Sequence, residues 1–295
     1  MLIYCANNLT CTKKYVVLKK EIYNNNMAQQ HTFENTVAII GGGNIGMAIA
    51  EGLAQSGKYN ASQIIITRHQ NDLPKDLNQG GFTFTSDNEY AVNNARIIIL
   101  AVLPILAPVI LKDIKDAVTN KHIIISCVTG YTMDSIEEFV GKDVSVIRAM
   151  PNTAIRIRES MTCLAANEKA KTVITEVEAL FNLVGITLVI EEEYMSSATA
   201  LGSCGIAFFL RSIRAASQGG TQIGFHAEDA QLIAAQTAKG AAELLLKLGS
   251  HPEEEIDKVT TPRGVTIAGL NEMEHNGFSS ALIKGIVTSY EKTKK

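Results

Sequence analysis

Short runs of consecutive apolar residues alternate with longer mixed stretches between residue 36 and about residue 193. The runs are rich in Ile and Val, a composition typical of strands buried on both faces of a parallel sheet. Most gaps between the runs have room for a helix, so the pattern predicts a doubly wound α/β domain. The predicted strands are Val37–Ile40, Ile64–Thr67, Phe82–Thr85, Ile97–Val102, Ile123–Cys127, Val144–Ile147 and Thr187–Ile190.

After residue 193 the strand pattern stops, and long stretches rich in Ala and Leu follow with helical spacing. The spacing predicts helices over Tyr194–Ser217 and Glu228–Leu248, the second ended by Gly249. Shorter helices are predicted from Pro252 and near 262–276 and 279–292. The expected fold class is therefore α/β, with an N-terminal Rossmann-like doubly wound sheet over residues 36–193 and an all-α C-terminal domain over residues 194–295.

Residues 1–35 differ from the rest because they are rich in Asn and Lys and have no regular apolar period. We expect a disordered extension with little order before Thr36. Met27 follows an Asn run and is a candidate for the true start of the chain. A short extra strand or an interaction arm is the alternative interpretation.

The composition narrows the class of protein. The chain is 46% hydrophobic and only 19% charged, with a formal net charge of -3, which gives no basis for a nucleic-acid or membrane partner. Low charge and Ala-rich helical faces favour a homo-oligomer. The five Cys form no CxxC pair and indicate reduced cytosolic thiols, so we expect a cytoplasmic protein. The six His are dispersed without the spacing of a metal site, and no metal is expected.

A glycine turn follows the first predicted strand and reads Gly41-Gly42-Gly43-Asn44-Ile45-Gly46. Gly41 permits a tight turn, Gly43 allows a pyrophosphate to approach the backbone, and Gly46 lets the helix pack closely on the strand. The amides and dipole of the following helix would hold the phosphates. A merely structural glycine turn is the alternative, but the strand-turn-helix setting favours a dinucleotide site.

The end of the second strand indicates which dinucleotide binds. An NAD site usually has an acidic residue there, whereas this chain reads Thr67-Arg68-His69 and has no acid before Asp72. An Arg fork suits the 2′-phosphate of NADPH, so NADPH is favoured over NADH. A solvated Arg at a strand end is the alternative. Pro104 lies shortly after the predicted strand Ile97–Val102 and stops it, which places that end of the strand near the cofactor.

A second candidate site lies late in the chain. Thr261 is predicted to cap a helix with Pro262 at its first position. The free amides that follow would attract a carboxylate, and Thr266 would add a hydroxyl one turn further in. A plain capped helix explains the same residues equally well, so chemistry alone does not decide between the two interpretations.

Six segments, in order from residue 36 to the end, resemble signatures of the pyrroline-5-carboxylate reductase family. The late segment Thr260–Phe278 resembles the family's Ser-Pro-Gly-Gly-x-Thr and the aliphatic helix after it. The other five are Gly41–Gly46, similar to GxGNMG; Ala101–Pro104, similar to Ala-Val-Lys-Pro; Ser126–Gly130, similar to Ser-x-Ala-Ala-Gly; Arg148–Thr153, similar to Arg-x-Met-Pro-Asn-Thr; and Thr199–Ala207, similar to Thr-Ala-Leu-Ser-Gly-Ser-Gly-Pro-Ala.

The resemblance implies reduction of 1-pyrroline-5-carboxylate to L-proline, the last step of proline biosynthesis, by hydride transfer from NADPH, with NADH as the alternative donor. It also implies that the helical domain forms a homodimer, or a ring of dimers. Thr266 would be the catalytic residue, contacting the imine nitrogen, while Gly264 and Val265 bind the substrate carboxylate and Glu192 lies near the substrate. The residues implied in cofactor binding are Gly41, Gly43, Asn44, Ile45, Gly46, Thr67, Arg68, Asn88, Ala101, Val102, Leu103, Pro104 and Asn152.

Four positions depart from the family pattern, yet none removes the helix-start amides or Thr266. Leu103 replaces a Lys, Arg263 replaces the first Gly of the late loop, Ile206 replaces a Pro, and Arg214 stands where many members have Glu. Two other functions stay open. One is a non-catalytic NADPH-binding regulator of the same fold, and the other a β-hydroxyacid dehydrogenase-like enzyme, which the absence of Lys from Phe208–Gln218 disfavours.

Overall fold

The computed structural model describes residues 33–294, which form two compact units dividing between Met195 and Ser196. The predictions made for residues 1–32, including the start at Met27, lie outside the described residues. The first described residues, Phe33–Asn35, form a single 3-10 turn, and Thr36 is already buried.

The first unit contains one sheet of eight strands in the order β3-β2-β1-β4-β5-β6-β7-β8. Every neighbouring pair is parallel except β6 and β7. The strands are β1 Val37–Ile40, β2 Ile64–Thr67, β3 Thr83–Thr85, β4 Ile97–Leu100, β5 Ile123–Ser126, β6 Ser145–Met150, β7 Ser160–Ala166 and β8 Gly185–Val189. Its helices are α1 Asn44–Gln55, α2 Asn88–Asn93, α3 Ala107–Ile114, α4 Met133–Val140 and α5 Ile174–Asn182.

The Ile and Val runs form strands because both faces of this sheet are covered. Successive residues of β4 alternate between two cores: Ile97 and Ile99 pack with α1 and α5, whereas Ile98 and Leu100 pack with α3 and α4. Full burial of such a side chain stabilises the fold by roughly 1.5–3 kcal/mol. The continuous apolar runs therefore follow from a sheet that lies between two layers of helices, as predicted.

All seven predicted strands are present, with ends that differ by up to three residues, but the prediction was wrong in omitting β7. β7 contains the polar residues Ser160 and Thr162, both buried, and no Ile or Val. Their hydroxyls bond each other at 3.2 Å, and the Ser160 hydroxyl also accepts the Asn152 amide. Internal hydrogen bonds thus satisfy these buried polar groups, in a strand that lacks the Ile and Val run by which the other strands were predicted.

The second unit consists of helices, as predicted. Met195–Ala198, labelled α6, starts just before the division, and a π-helical segment, Thr199–Ser203, connects it to the long α7, Gly205–Gln222. The others are α8 Ala227–Leu248, α9 Pro252–Lys258, α10 Val265–His275 and α11 Phe278–Thr293. Gly249 ends α8 with a left-handed φ of 66°, as its position predicts.

The helices of the second unit expose many large apolar side chains. The 22-residue α8 has one buried residue, Ala230, and α10 and α11 have none. Helices normally bury an apolar face, so this exposure indicates a surface for another protein. Within residues 33–294, no helix combines the length and apolarity that crossing a bilayer requires. The most exposed large apolar residues of these helices include Phe209, Leu210, Leu232, Leu246, Leu248 and Ile283.

Candidate nucleotide and substrate sites

The glycine turn after β1 has a geometry that only glycine satisfies. Gly41 has a φ of +105°, and a Cβ there would lie 2.5 Å from the Ala101 carbonyl oxygen. A Cβ on Gly46 would lie 2.1 Å from the Gly41 carbonyl oxygen, which is far inside van der Waals contact. Gly41 therefore lets the turn lie close to Ala101 after β4, and Gly46 lets the start of α1 pack on Gly41. Gly43 differs, because a Cβ there would meet no atom within 4 Å.

Gly43 also occupies the N-cap position of α1, where it has no side chain to offer the first amides of the helix. The first bond within the helix runs from the Met47 amide to the Gly43 carbonyl, at 2.9 Å. The amides of Asn44, Ile45 and Gly46 thus have no partner inside the helix. Open space above Gly43, together with these amides and the helix dipole, suits the pyrophosphate of a dinucleotide.

Thr67 and Arg68 lie directly beside this turn. The Gly42 amide donates to the Thr67 carbonyl at 2.8 Å, and the Arg68 amide donates to the Thr85 carbonyl at 3.0 Å. Nε of Arg68 is buried and has no hydrogen-bond partner within residues 33–294. Since Nε is buried against Gly42, the outer nitrogens of the guanidinium are the ones that could bind a phosphate oxygen of a nucleotide. The structure thus brings the predicted Arg to the predicted turn.

Ala101 and Val102 complete the same edge of the sheet. The Ala101 amide donates to the Ile40 carbonyl at 2.8 Å, and Val102 is close enough that a Cβ on Gly41 would lie 2.7 Å from its Cγ1. Pro104 begins a 3-10 turn, Pro104–Leu106. Leu103, in the position of the family's Lys, is 68% exposed. The edge therefore keeps its backbone contacts but presents an apolar side chain in place of a charge.

Asn88 and Asn152 both follow the carboxyl ends of strands in this sheet, but their amides already have partners. Nδ2 of Asn88 donates to Asp113 Oδ2 at 3.1 Å. Oδ1 of Asn152 accepts from the Ala154 amide at 3.0 Å, and the residue is 8% exposed. Their predicted cofactor contacts stay predictions, since each side chain also holds local structure.

Glu192 connects three parts of the first unit. One of its oxygens, Oε1, accepts the Met133 amide at 2.8 Å and Nη1 of Arg148 at 3.1 Å. Met133 is the first residue of α4, so the carboxylate lies at a helix start, where the dipole favours negative charge. Arg148 belongs to β6 and is buried. The predicted substrate residue is thus an ion-pair partner in this structure.

Thr266 is the second residue of α10, in the second unit. The predicted cap was wrong: the N-cap is Gly264, and Thr261 and Pro262 lie in the turn before it. The helix cannot extend back to Pro262, because Arg263 has a left-handed φ of 61° and the Gly264 amide closes a turn on the Thr261 carbonyl at 2.8 Å. The helix-start amides therefore belong to Val265, Thr266 and Ile267.

Gly42 has a role at this site that the sequence did not predict. It stands between two glycines whose roles the dinucleotide pattern explains. That pattern accepts any residue between them and gives no reason for a glycine at position 42. A Cβ on Gly42 would lie 2.7 Å from Arg68 Nε. The signal could have been found only by pairing the turn with the end of β2.

Cys127, which follows β5, has no character of a nucleophile. Burial raises the pKa of its thiol to about 12. A thiolate is therefore negligible at neutral pH, and this residue packs as a small apolar side chain.

Two family models match the chain. The model described as "Pyrroline-5-carboxylate reductase dimerisation" matches residues 192–295. The model described as "NADP oxidoreductase coenzyme F420-dependent" matches residues 36–130. Two curated relatives from Dictyostelium discoideum, pyrroline-5-carboxylate reductases 1 and 2, are each 52% identical to this chain over 88% of its length. The matched regions span about half of the first relative, 49%, and 92% of the second.

Solved structures give the same result. A Plasmodium falciparum pyrroline carboxylate reductase with NADP bound matches with a TM-score of 0.80 and 26% identity, covering 88% of this chain and 97% of that one. A Coxiella burnetii pyrroline-5-carboxylate reductase matches with a TM-score of 0.79 and 29% identity, covering 89% and 98%. The order of motifs, the fold and these relatives together show that the chain belongs to the pyrroline-5-carboxylate reductase family.

Proposed function

We propose that this protein reduces 1-pyrroline-5-carboxylate to L-proline with NADPH, with NADH as a second donor. The observation that carries the proposal is a pair of glycine-capped helix starts in a chain of this family. One lies beside Arg68 in the nucleotide-binding unit, and the other presents Thr266 in the helical unit. Both suit anions, as the dinucleotide and the substrate carboxylate require.

The nucleotide would be held at the carboxyl edge of the sheet. Gly43, Asn44, Ile45 and Gly46 would bind the pyrophosphate through backbone amides, and Arg68 would bind the 2′-phosphate. NADPH, when bound, supplies the hydride. Gly41, Thr67, Ala101 and Val102 shape the edge, and we keep Asn88, Leu103, Pro104 and Asn152 as proposed neighbours of the cofactor.

The substrate is a five-membered cyclic imine with a carboxylate. Its protonated nitrogen would donate a hydrogen bond to the Thr266 hydroxyl oxygen, and the amide of Val265 would hold the carboxylate. Gly264 would line that site, since its own amide closes the turn on Thr261. Hydride addition at C5 then gives the neutral ring amine of proline. Most of the rate enhancement would come from holding the two reacting rings together. Glu192 is proposed to act near the substrate, although its oxygen also binds Arg148.

The helical unit belongs to a dimerisation family, and its exposed apolar helices support oligomerisation. We propose a homodimer or a ring of dimers, with no nucleic-acid or membrane partner, in the cytoplasm. The three described cysteines Cys127, Cys163 and Cys204 are free thiols, in agreement with a reducing compartment. Light scattering at micromolar concentration should give a multiple of the 31.9 kDa chain, and a stable monomer would contradict the proposal.

The test of activity is purified protein with 1-pyrroline-5-carboxylate, following the loss of NADPH absorbance and then of NADH absorbance. Thr266→Ala should lower kcat by about 10- to 100-fold, because a hydrogen bond to the reacting ring is lost. Thr266→Ser keeps the hydroxyl and should retain most activity, and NADPH binding by fluorescence should be unchanged in both. A protein that binds NADPH but never turns over this imine would instead be a non-catalytic regulator.

A further inference from the structure

The side chain of Arg68 lies against the backbone of Gly42. A Cβ at position 42 would come within 2.7 Å of Arg68 Nε and 2.9 Å of Arg68 Cγ, and within 2.8 Å of Ile66 Cγ2. Gly42 is itself held in place, because its amide donates to the Thr67 carbonyl. The Arg68 side chain therefore uses space that exists only because residue 42 has no side chain.

A second contact to Arg68 comes from the ring of Phe84 on β3. The guanidinium carbon lies 5.9 Å from the ring centroid, within the range of a cation–π contact. Phe84 is 6% exposed and packs edge-on against Phe82, with centroids 6.5 Å apart. The backbone is fixed as well, because the Arg68 amide donates to Thr85, the next residue of β3. The ring thus has little freedom to move away.

We propose that Gly42 and Phe84 are positioning residues that hold Arg68 for the 2′-phosphate and so set the preference for NADPH over NADH. The proposal rests on the proposed function, because it requires a dinucleotide at the glycine turn. Neither residue contacts the reacting atoms, and both act through Arg68. The preference then depends on the fit of a long flexible side chain, since an Arg without these contacts would sample many rotamers.

Calorimetry with NADP+ and NAD+, which differ only in the 2′-phosphate, measures this effect without the imine. Gly42→Ala should weaken NADP+ binding by about tenfold or more, the size expected for a hydrogen bond to a charged group, and change NAD+ binding little. Phe84→Leu should weaken NADP+ binding by a smaller factor. Phe82→Leu is the matched control, because Phe82 has similar burial in the same ring pair but makes no ring contact with Arg68 among the described residues.

The double variant decides whether the two residues act through Arg68. In an Arg68→Ala background, Gly42→Ala should have no further effect on the ratio of NADP+ to NAD+ affinity. An effect that persists there, or an equal loss of both ligands in the single variant, would overturn the inference. Thermal unfolding identifies variants that fail to fold, and Phe84→Leu then provides the same test with Arg68→Ala.

The failure of the proposed function gives a different result. If the unmodified protein binds neither dinucleotide, the glycine turn is not a nucleotide site and both proposals fall. If it binds NADP+ more tightly and Gly42→Ala leaves that preference intact, only the positioning role is wrong. The ratio of kcat/KM for NADPH and NADH should change in parallel with the binding ratio.

Discussion

Two helices in this chain begin in nearly the same way yet stand in different surroundings. Gly43 before α1 and Gly264 before α10 have similar extended backbones, with φ of -77° and -73°, and neither has a side chain to cap the helix. Six residues of α1 are buried against the sheet, whereas α10 has no buried residue and Val265 is 91% exposed. The first start is fixed by the core of its own unit.

The comparison shows that an anion-binding helix start needs two separate things, amides without partners and a support that holds them. The core of the first unit supports α1. The start of α10 is held by its own turn, in which the Gly264 amide donates to Thr261. We therefore expect substitutions near Gly43 to affect folding and cofactor binding together, and substitutions near Gly264 to affect substrate binding alone.

A third helix start shows the alternative, in which the chain supplies its own anion. The first amide of α4, that of Met133, donates to the Glu192 carboxylate. A helix start with its carboxylate already in place is a structural device, and one without is available to a ligand. The start of α4 is therefore structural, whereas the starts of α1 and α10 are open to ligands. The sequence patterns alone do not make this distinction.

The largest expected effect is that of Gly41→Ala, at the turn supported by the core. The new Cβ would lie 2.5 Å from the Ala101 carbonyl oxygen in a residue with a φ of +105°. We expect the free energy of unfolding to fall by about 3 kcal/mol, because of backbone strain and overpacking. The affinity for NADPH should fall as well. Urea unfolding and NADPH fluorescence measure the two, and an unchanged midpoint would contradict the geometry.

Glu192→Gln should have the next largest effect, because it leaves the buried Arg148 guanidinium without a counter-charge. The side chains of Arg148 and Glu192 are 7% and 28% exposed, so water screens the pair only partly. We expect the free energy of unfolding to fall by about 2 kcal/mol. Glu193→Gln, at the exposed neighbouring residue, is the control. A loss of imine affinity with unchanged stability would instead favour the proposed substrate role of Glu192.

Gly264→Ala should have a smaller effect, limited to the substrate. A Cβ there would lie 2.5 Å from Thr261 Oγ1 and 2.9 Å from the Thr261 carbonyl oxygen, so the turn before α10 must shift. We expect KM for the imine to rise by roughly threefold to tenfold, about 1 kcal/mol, with NADPH affinity unchanged. Steady-state kinetics with each ligand varied in turn measures this. An equal change in both constants would mean that the two helix starts are not independent.

Gly269→Ala, within α10, should have the smallest effect and the opposite sign. A Cβ at Gly269 would meet no atom within 4 Å, and Ala is favoured over Gly in a helix by about 0.5–1 kcal/mol. We expect the free energy of unfolding to rise by that amount in urea titration. A loss of stability would show that the residue lies against a partner subunit in solution, since the added methyl group is free within one chain.

Much of the first unit could be predicted because its apolar runs are long and its sheet is buried on both faces. Ile97–Leu100 is unambiguous for this reason, whereas β7 was missed because Ser160 and Thr162 depend on hydrogen bonds that no periodicity reveals. The glycine turn between β1 and α1 followed from its spacing. The need for glycine at position 42 could not be predicted in this way. It arises from the side chain of Arg68, 26 positions later, which only the folded chain brings close.

The late helix shows a different limit of sequence interpretation. Thr261 and Pro262 have the residue types of a helix start, and local preferences alone would place it there. The left-handed backbone of Arg263 moves the start three residues on, to Val265. Local preference therefore identified the helix, but the backbone conformation of one residue decided which amides its start presents.

Arg263 has a further consequence for encounter with the substrate. It places a permanent cation immediately before the positive end of the α10 dipole, at an exposed position. An approaching carboxylate is attracted by both, and dissolved salt screens such attraction with a Debye length of about 8 Å at physiological ionic strength. Capture of the imine should therefore slow as salt is added, while the hydride step, which occurs after the ring is bound, should not.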